Sequence, residues 1–245
     1  MRPAFLISSV ALLAASLGAA PAHADEAKIA AAVKTINENA TVRSIRDIPG
    51  LGLKEVIADN SVIYMDPNGR YLFFGTLLDL ESKRNLSQEA QASVRVDSIR
   101  GIPASEKIIF APKDVKHRVT VFTDITCSFC QKLHDDLDGY LERGIAVEYV
   151  AFPRGGQRSP AWQQMRNIWC AKDRKGAYEA GLAGQSVPAT VNCSDPVASH
   201  YALGDTLSIE GTPALFTESG TLLSGYMPPD RLLAALEKDA KDNGR

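Results

Sequence analysis

The chain has 245 residues, of which 45% are hydrophobic, 23% charged and 7% aromatic, and its formal net charge is −2. This composition is typical of a globular protein and excludes collagen-like, low-complexity and wholly disordered chains. Basic residues are not in excess and aromatic residues are few, so we expect no nucleic-acid partner. The length allows one large domain or two smaller ones.

Residues 1–24 have the pattern of a secretory signal peptide. A basic start at Met1-Arg2 precedes an apolar run over residues 5–20, and the small-x-small sequence Ala22-His23-Ala24 follows. A retained membrane anchor is the alternative, but the run is short for a bilayer span of about 20 residues. No later segment is long and apolar enough to span a bilayer. We therefore expect an exported protein with no membrane insertion.

Residues 25–85 are expected to form a small domain of one helix and three or four strands. Apolar residues recur at helical spacing between residues 26 and 39. Strands are predicted at residues 53–58, 61–65 and 71–78. Asp66-Pro67-Asn68-Gly69 predicts a hairpin turn, because Pro presets φ and Asn-Gly tolerates positive φ. A domain with so small a hydrophobic core has marginal stability alone. We therefore expect it either to pair with a second copy or to pack on its C-terminal neighbour.

Residues 86–104 are polar and charged and predict a linker helix. The second domain, residues 105–245, opens with a strand at residues 107–110. Strands at residues 119–122 and 145–152 flank one helix whose leucines share a face. This βαβ pattern predicts parallel pairing with a right-handed crossover.

A helical insertion is predicted at about residues 157–207, where Ser159-Pro160 is a favourable N-cap and first-turn pair. Two antiparallel strands at residues 211–216 and 221–226 follow, and Pro228 opens a last amphipathic helix. The predicted fold class is α/β, with an α+β arrangement overall.

Cys127 and Cys130 form a C-x-x-C motif at the start of the helix in the βαβ unit. Unpaired N–H groups and the helix dipole favour a thiolate there, so we expect Cys127 to ionise near or below neutral pH and to attack disulfides. Cys130 lies one turn further in and is expected to be more buried and to resolve mixed disulfides. A C-x-x-C beside a βαβ unit is typical of a thioredoxin-like fold.

The four cysteines also allow uses other than a redox motif. A zinc site would need two more ligands, and Cys170 and Cys193 form no second C-x-x-C, although His134 could supply one ligand. A structural disulfide between Cys127 and Cys130 would close too small a loop to constrain the unfolded chain. We expect no metal and no cofactor. Cys170 and Cys193 then form either a structural disulfide, worth about 3 kcal/mol, or a second redox pair.

Thr212-Pro213 is the second sequence feature that indicates a functional site. A proline at the start of a strand cannot donate to the sheet and marks an edge or a special turn. A cis peptide bond here would direct the Thr212 backbone at the cysteines and provide a docking edge for an extended substrate.

The chain resembles the DsbC/DsbG family of periplasmic thiol:disulfide interchange proteins, over nearly the whole mature chain. The most specific segments are Val121-Phe122-Thr123-Asp124-Ile125-Thr126-Cys127, Ala151-Phe152-Pro153-Arg154, Ile168-Trp169-Cys170-Ala171-Lys172-Asp173, His200-Tyr201-Ala202-Leu203-Gly204 and Gly211-Thr212-Pro213-Ala214. The presence of Cys170 and Cys193 favours the DsbC branch.

The resemblance implies a V-shaped homodimer joined through cystatin-like N-terminal domains, with thioredoxin-like domains facing one cleft. It implies an isomerase and reductase that acts on misfolded exported proteins in the periplasm, binds them as a chaperone does, and is kept reduced by the membrane reductase DsbD. The site residues that it implies are the nucleophile Cys127, the resolving Cys130, the substrate-binding Thr212 and cis Pro213, and the non-catalytic disulfide Cys170–Cys193.

The motif departs from the family in one respect. The usual inner dipeptide is Gly-Tyr, whereas this chain has Ser128-Phe129. These two residues tune the thiol pKa and the reduction potential, so the redox balance is expected to differ while the chemistry stays the same. Two other functions use the same features: a thiol oxidase with the same motif, and a chaperone without enzymatic activity.

Overall fold

The computed structural model describes residues 22–190 and 193–243. The helices are α1 (Ala22–Ile36), α2 (Leu86–Arg100), α3 (Ser128–Asp135), α4 (Leu137–Glu142), α5 (Pro160–Cys170), α6 (Arg174–Leu182), α7 (Val197–Thr206) and α8 (Pro229–Asp242). The strands are β1 (Val42–Ile48), β2 (Leu53–Ala58), β3 (Ser61–Met65), β4 (Leu72–Phe73), β5 (Leu78–Asp79), β6 (Arg84–Asn85), β7 (Ile108–Phe110), β8 (His117–Thr123), β9 (Ile145–Ala151), β10 (Ala214–Phe216) and β11 (Leu222–Ser224).

The expected signal peptide lies outside the described residues except for its last three, which begin α1. Among the residues that the structure describes, no helix combines the length and the apolar character needed to cross a bilayer.

The N-terminal part is an antiparallel sheet, in the order β1-β2-β3-β4, with α1 packed against it. Ile29 and Val33, one helical turn apart on α1, are buried against the sheet. The predicted hairpin turn joins β3 and β4: the Asp66 carboxylate accepts hydrogen bonds from the backbone N–H of Asn68 (3.1 Å) and Tyr71 (2.6 Å). Gly69 takes the positive φ, +71°, that the turn requires.

Two strand predictions in this domain need correction. β1 was not predicted from the sequence, and the strand predicted at residues 71–78 is wrong in extent. Only Leu72 and Phe73 pair with β3, and Leu78 belongs to a separate two-stranded sheet, β5-β6. The strand is interrupted because Leu77 bonds to the start of α2: its N–H donates to Ser87 Oγ (2.8 Å) and its carbonyl accepts from Leu86 N–H (3.0 Å).

Helix α2 joins the two domains and contacts both. Asn85 caps it by accepting from the Gln88 N–H (2.9 Å). Gln91 Nε2 donates to the Asn60 carbonyl of the N-terminal domain (2.9 Å), whereas Ile99 packs in the C-terminal domain. The turn between β10 and β11 abuts the helix so closely that a Cβ on Gly220 would lie 2.2 Å from the Ala92 carbonyl oxygen.

The C-terminal domain is built on a five-stranded sheet in the order β11-β10-β8-β9-β7. β8 runs parallel to β9, which confirms the predicted βαβ unit, and all other neighbours are antiparallel. All seven residues of β9 are buried, as expected for a central strand covered on both faces. The predicted single helix between β8 and β9 is instead two, α3 and α4. They meet at Asp136, whose carboxylate accepts a hydrogen bond from the Tyr226 hydroxyl.

The insertion contains α5, α6 and α7, as the sequence indicated. Ser159 caps α5 by accepting from the Trp162 N–H (3.2 Å), and Pro160 occupies the first turn. Cys170, at the end of α5, forms a disulfide with Cys193, with the two Cα atoms 5.9 Å apart. The bond fastens the end of α5 to the segment that leads into α7.

Candidate active site

Cys127 lies where β8 ends and α3 begins. Its backbone N–H donates to the Asp124 carbonyl (3.0 Å), which closes the turn between strand and helix. Cys127 is the N-cap residue of α3, and Cys130 follows on the first turn. Both cysteines are free thiols, and their exposed fractions are only 3% for Cys127 and 1% for Cys130. Cys127 is thus much less exposed than its role as an attacking thiol suggested.

The Thr212-Pro213 step lies against Cys127. The peptide bond between the two residues is cis. The Cys127 thiol donates a hydrogen bond to the Thr212 carbonyl oxygen, with sulfur and oxygen 3.1 Å apart. β10 brings them together, because its first residue, Ala214, pairs with Phe122 near the end of β8. The structure therefore gathers four of the predicted site residues at one end of the sheet.

The surroundings of Cys127 favour its thiolate. Hydrogen bonds from the Cys130 and Thr212 side chains and the positive charge of Arg154 outweigh burial and lower the pKa of Cys127 to about 5. While Cys127 is a thiol, the buried Thr212 hydroxyl has no hydrogen-bond partner within the described ranges. The hydrogen bond from Thr212 to the sulfur therefore belongs to the thiolate state, in which the sulfur accepts. At neutral pH this pKa favours the thiolate, which is the nucleophilic form of cysteine.

Cys130 behaves in the opposite way. Burial and the hydrogen bond with Cys127 raise the pKa of Cys130 well above the ordinary value for a thiol. Beneath it, Thr123 Oγ1 and Tyr178 Oη share a hydrogen bond of 2.7 Å, and burial raises the pKa of Tyr178 well above its usual value. One cysteine of the motif is thus poised as an anion while the other holds its proton.

His134, the extra ligand considered for a zinc site, points into this buried region. Its Nδ1 hydrogen-bonds with Tyr149 Oη (3.1 Å), its ring meets the edges of neighbouring aromatic rings, and burial lowers its pKa. Cys170 and Cys193 are bonded to each other in the insertion. Over residues 22–190 and 193–243, no three His, Cys, Asp or Glu side chains come together as a metal site.

Asp124 and Arg154 are site residues to which sequence reasoning assigned no role. The Asp124 carboxylate, which is buried, accepts from Arg154 Nε (3.1 Å) and from Thr126 Oγ1 (2.7 Å). One signal could have found them: Asp124 follows β8 and Arg154 follows β9, and the carboxyl ends of parallel strands meet at the same edge of a sheet.

The inner dipeptide of the motif, Ser128-Phe129, lies at the surface beside Cys127. Ser128 is the first residue of α3, and Phe129 is 58% exposed, the largest exposure of any large hydrophobic side chain described in the C-terminal domain. An exposed aromatic ring adjacent to Cys127 is available for contact with another molecule.

Comparison with known proteins agrees with this geometry. Residues 104–240 match the thioredoxin-like domain family, and residues 20–88 match the disulfide bond isomerase protein N-terminal domain. The chain is 36% identical to the thiol:disulfide interchange protein DsbC of Escherichia coli K12, over 98% of each chain. It is 37% identical to DsbC of Haemophilus influenzae, over 92% of this chain and 96% of the relative.

Among solved structures, a linker-deletion variant of Proteus mirabilis ScsC is similar, with a TM-score of 0.51 and 17% identity over 64% of this chain and 86% of that one. This likeness concerns the fold alone. The fold class is therefore that of a thioredoxin-like domain preceded by a second α+β domain. With a C-x-x-C motif at the start of α3 and relatives that match it along almost their whole length, the chain belongs to the DsbC family of thiol:disulfide interchange proteins.

Proposed function

We propose that this protein is a periplasmic disulfide isomerase and reductase that rearranges non-native disulfides in exported proteins. The observation that carries the proposal is the contrast between two neighbouring thiols, since the surroundings lower the pKa of Cys127 and raise that of Cys130. A thiolate attacks a disulfide sulfur, whereas a thiol must lose its proton before it can attack.

The first step forms a mixed disulfide. The Cys127 thiolate attacks one sulfur of a client disulfide, a Cys127–client S–S bond forms, and the client S–S bond breaks. The displaced client sulfur leaves as a thiolate and takes a proton from solvent. The low pKa of Cys127 also makes it a good leaving group in the reverse direction.

Two outcomes follow from the mixed disulfide. In isomerisation, another client thiolate attacks the client sulfur, a new client disulfide forms and Cys127 leaves as a thiolate, with no net electron transfer. In reduction, Cys130 gives its proton to solvent and attacks the Cys127 sulfur. The Cys127–Cys130 disulfide forms, the Cys127–client bond breaks, and the client sulfur leaves as a thiolate that takes up a proton. The client has then gained two electrons, which the pair has lost. The membrane reductase DsbD would then return two electrons to the pair.

Thr212 and cis Pro213 would bind the client segment that carries the disulfide. The Thr212 carbonyl already lies 3.1 Å from the Cys127 sulfur. An extended client strand laid along this edge would form backbone hydrogen bonds beside the nucleophile, independent of client sequence. Ser128 and Phe129 would set the redox balance, and the exposed Phe129 ring would contact apolar client side chains.

The proposed assembly is a homodimer joined through the N-terminal domains. All but one of the exposed large hydrophobic side chains in the described ranges lie between residues 36 and 80, with Leu80 and Phe74 the most exposed at 83% and 75%. Apolar surface at this density in one small domain is typical of an interface. A dimer would place two active sites around a shared cleft, in which misfolded clients bind as to a chaperone.

The periplasm is the proposed compartment because the leader sequence predicts export and the structure contains the Cys170–Cys193 disulfide, which an oxidising environment preserves. There the protein would meet both its clients and DsbD.

Refolding of a scrambled multi-disulfide substrate in a glutathione buffer tests the proposal. We expect the wild type to restore native substrate and Cys127→Ala to lose this activity completely. Cys170→Ala/Cys193→Ala is the matched control and keeps it. Rescue by Cys127→Ala would mean that another group is the nucleophile or that the protein is only a chaperone. Acceleration of the oxidation of reduced substrate, without rescue of scrambled substrate, would identify an oxidase.

A further inference from the structure

Asp124 is a buried carboxylate that ties together two segments of the site. Its Oδ1 accepts hydrogen bonds from the backbone N–H (2.8 Å) and the hydroxyl (2.7 Å) of Thr126. Its Oδ2 accepts from the backbone N–H (2.9 Å) and Nε (3.1 Å) of Arg154. Four hydrogen bonds compensate for the desolvation of the carboxylate. The turn that ends at Cys127 is thereby fastened to the chain that follows β9.

The Arg154 guanidinium contacts Asp124 on one side and solvent on the other. Its side chain is 44% exposed, whereas that of Asp124 is 2% exposed. Beyond the contact of Nε with Asp124, Nη2 lies 3.5 Å from the hydroxyl of Thr126, the residue that precedes Cys127. The guanidinium therefore sits at the open edge of the site, next to the segment that carries the nucleophile.

We propose that Asp124 and Arg154 are a positioning pair for Cys127: Asp124 fixes the turn before the nucleophile and partly balances the charge of the Arg154 guanidinium, and the remaining positive charge stabilises the thiolate. The inference rests on the proposed function, because it takes Cys127 as the attacking group. Neither residue takes part in bond making. Both act through the charge and the position of the sulfur.

The two members of the pair carry opposite charges, so their removal has opposite effects. The groups around Cys127 are Cys130 from α3, Thr212 from the loop before β10, Tyr178 from α6, Arg154 from the segment after β9, and Asp124 from the turn after β8. Burial raises the pKa of Tyr178 well above its usual value, so it stays neutral and Arg154 and Asp124 are the charged groups. Loss of the Arg154 charge leaves Asp124 as an unpaired anion near the thiolate and raises the pKa of Cys127. Loss of the Asp124 charge leaves the cation unbalanced and lowers that pKa.

A purely structural role gives a different pattern. If the pair only stiffened the turn, either substitution would loosen it and move the pKa of Cys127 in the same direction. The sign of the two shifts therefore separates an electrostatic positioning role from a simple structural one.

The test is the pH dependence of Cys127 alkylation by iodoacetamide in the full reduced chain, followed by mass spectrometry of the peptide that carries the residue. For Arg154→Met we expect the midpoint to rise by about 1 pH unit, which is about tenfold slower alkylation below the midpoint. Arg154→Lys should recover most of the wild-type profile, and Asp124→Asn should shift the midpoint downward.

Arg166→Met is the matched control. Arg166 Nε bonds the carboxylate of Asp195 at 2.8 Å, and the pair has nearly the same exposures, 43% and 6%, but lies in the insertion. This variant loses a comparable ion pair and should leave the alkylation profile unchanged. Shifts of equal sign for Arg154→Met and Asp124→Asn, or a shift for Arg154→Met no larger than that of Arg166→Met, overturn the inference. A wild-type midpoint like that of free cysteine overturns the proposed function itself.

Discussion

Cys127 and Thr212 are 85 residues apart in the chain, yet the thiol of the first donates to the backbone carbonyl of the second across 3.1 Å. The contact joins the two parts of the site that the sequence marked separately, the C-x-x-C motif and the Thr212-Pro213 step. It also places the sulfur against a backbone edge rather than in open solvent. Under the proposed function, a client disulfide would approach along this edge to be attacked.

The low pKa of Cys127 predicts a pH-dependent stability of the reduced protein. Because the pKa is about 5 in the folded chain and about 8.5 in an unfolded one, the folded state binds fewer protons between these values. The stabilisation is complete above the unfolded pKa and disappears as pH falls through 5. Relative to Cys127→Ala, the free energy of unfolding should rise by up to about 1.4 kcal/mol per pH unit between pH 5 and pH 8.

Urea unfolding with reductant present, at each pH for both proteins, measures this difference. Cys127→Ala keeps Cys130, whose burial raises its pKa in both proteins, so folded Cys130 stays protonated on both sides of the comparison between pH 5 and pH 8. A difference that does not vary with pH would show that the thiolate is not stabilised by the fold.

The exposed apolar surface of the N-terminal domain predicts how the proposed dimer can be broken. Phe74→Asp/Leu80→Asp replaces the two most exposed apolar side chains of this surface with charged ones. We expect the double variant to be monomeric in analytical ultracentrifugation. Alkylation of Cys127 should be unchanged, because the site lies in the other domain. Phe129→Asp, an equally drastic change at an exposed ring outside that domain, should leave the dimer intact. Persistence of the dimer in the double variant would place the interface elsewhere.

Removal of the second disulfide should weaken the fold without changing the chemistry. Cys170→Ala/Cys193→Ala opens a loop with a sequence separation of 23 residues, and we expect a loss of about 3 kcal/mol in unfolding free energy. Thermal unfolding of both proteins without reductant measures the loss. The alkylation profile of Cys127 serves as the readout of the site. Equal loss of Cys127 reactivity would instead couple the disulfide to the active site.

The close approach of Gly220 to α2 predicts that the helix holds the two domains together at this turn. Gly220→Val places a Cβ 2.2 Å from the Ala92 carbonyl oxygen and 2.9 Å from Val96 N, backbone atoms that cannot rotate away. We expect α2 to detach from the turn, with faster proteolysis in the linker and lower thermal stability.

Gly225→Val is the control for backbone strain. Gly225 has a similar φ, +79° against +82°, but no atom lies within 4 Å of the position of its Cβ. The difference between the two variants isolates the contact with α2. Equal proteolysis of both variants would mean that φ strain, and not the contact, accounts for the effect.

Local signals predicted the elements of the second domain because each carries its own pattern. Ser159-Pro160 marks the start of α5, and the apolar run of β9 marks a covered central strand. β1 was missed because its residues do not alternate between buried and exposed, and Arg43, Arg46 and Asp47 conceal it among polar residues. Sequence periodicity gives no sign of such an edge strand.

The parts of the site that sequence reasoning missed depend on tertiary contacts. The break between α3 and α4 at Asp136 accompanies a bond from Tyr226, 90 residues further on. The partnership of Asp124 with Arg154 spans 30 residues and appears only when β8 and β9 lie side by side. The near-complete burial of Cys127 likewise arises from packing of the Thr212 segment, which no property of the motif reports.

The 3% exposure of Cys127 limits which bonds the protein can reach. In thiol-disulfide exchange the attacking sulfur lies in line with the two sulfurs of the client disulfide. The client disulfide would therefore have to reach the N-terminus of α3, where Cys127 lies. A disulfide buried in a folded, rigid client could not reach this position, whereas a disulfide in a flexible segment could. The protein would then distinguish native from non-native client disulfides by the flexibility of the client segment, without recognising its amino-acid sequence.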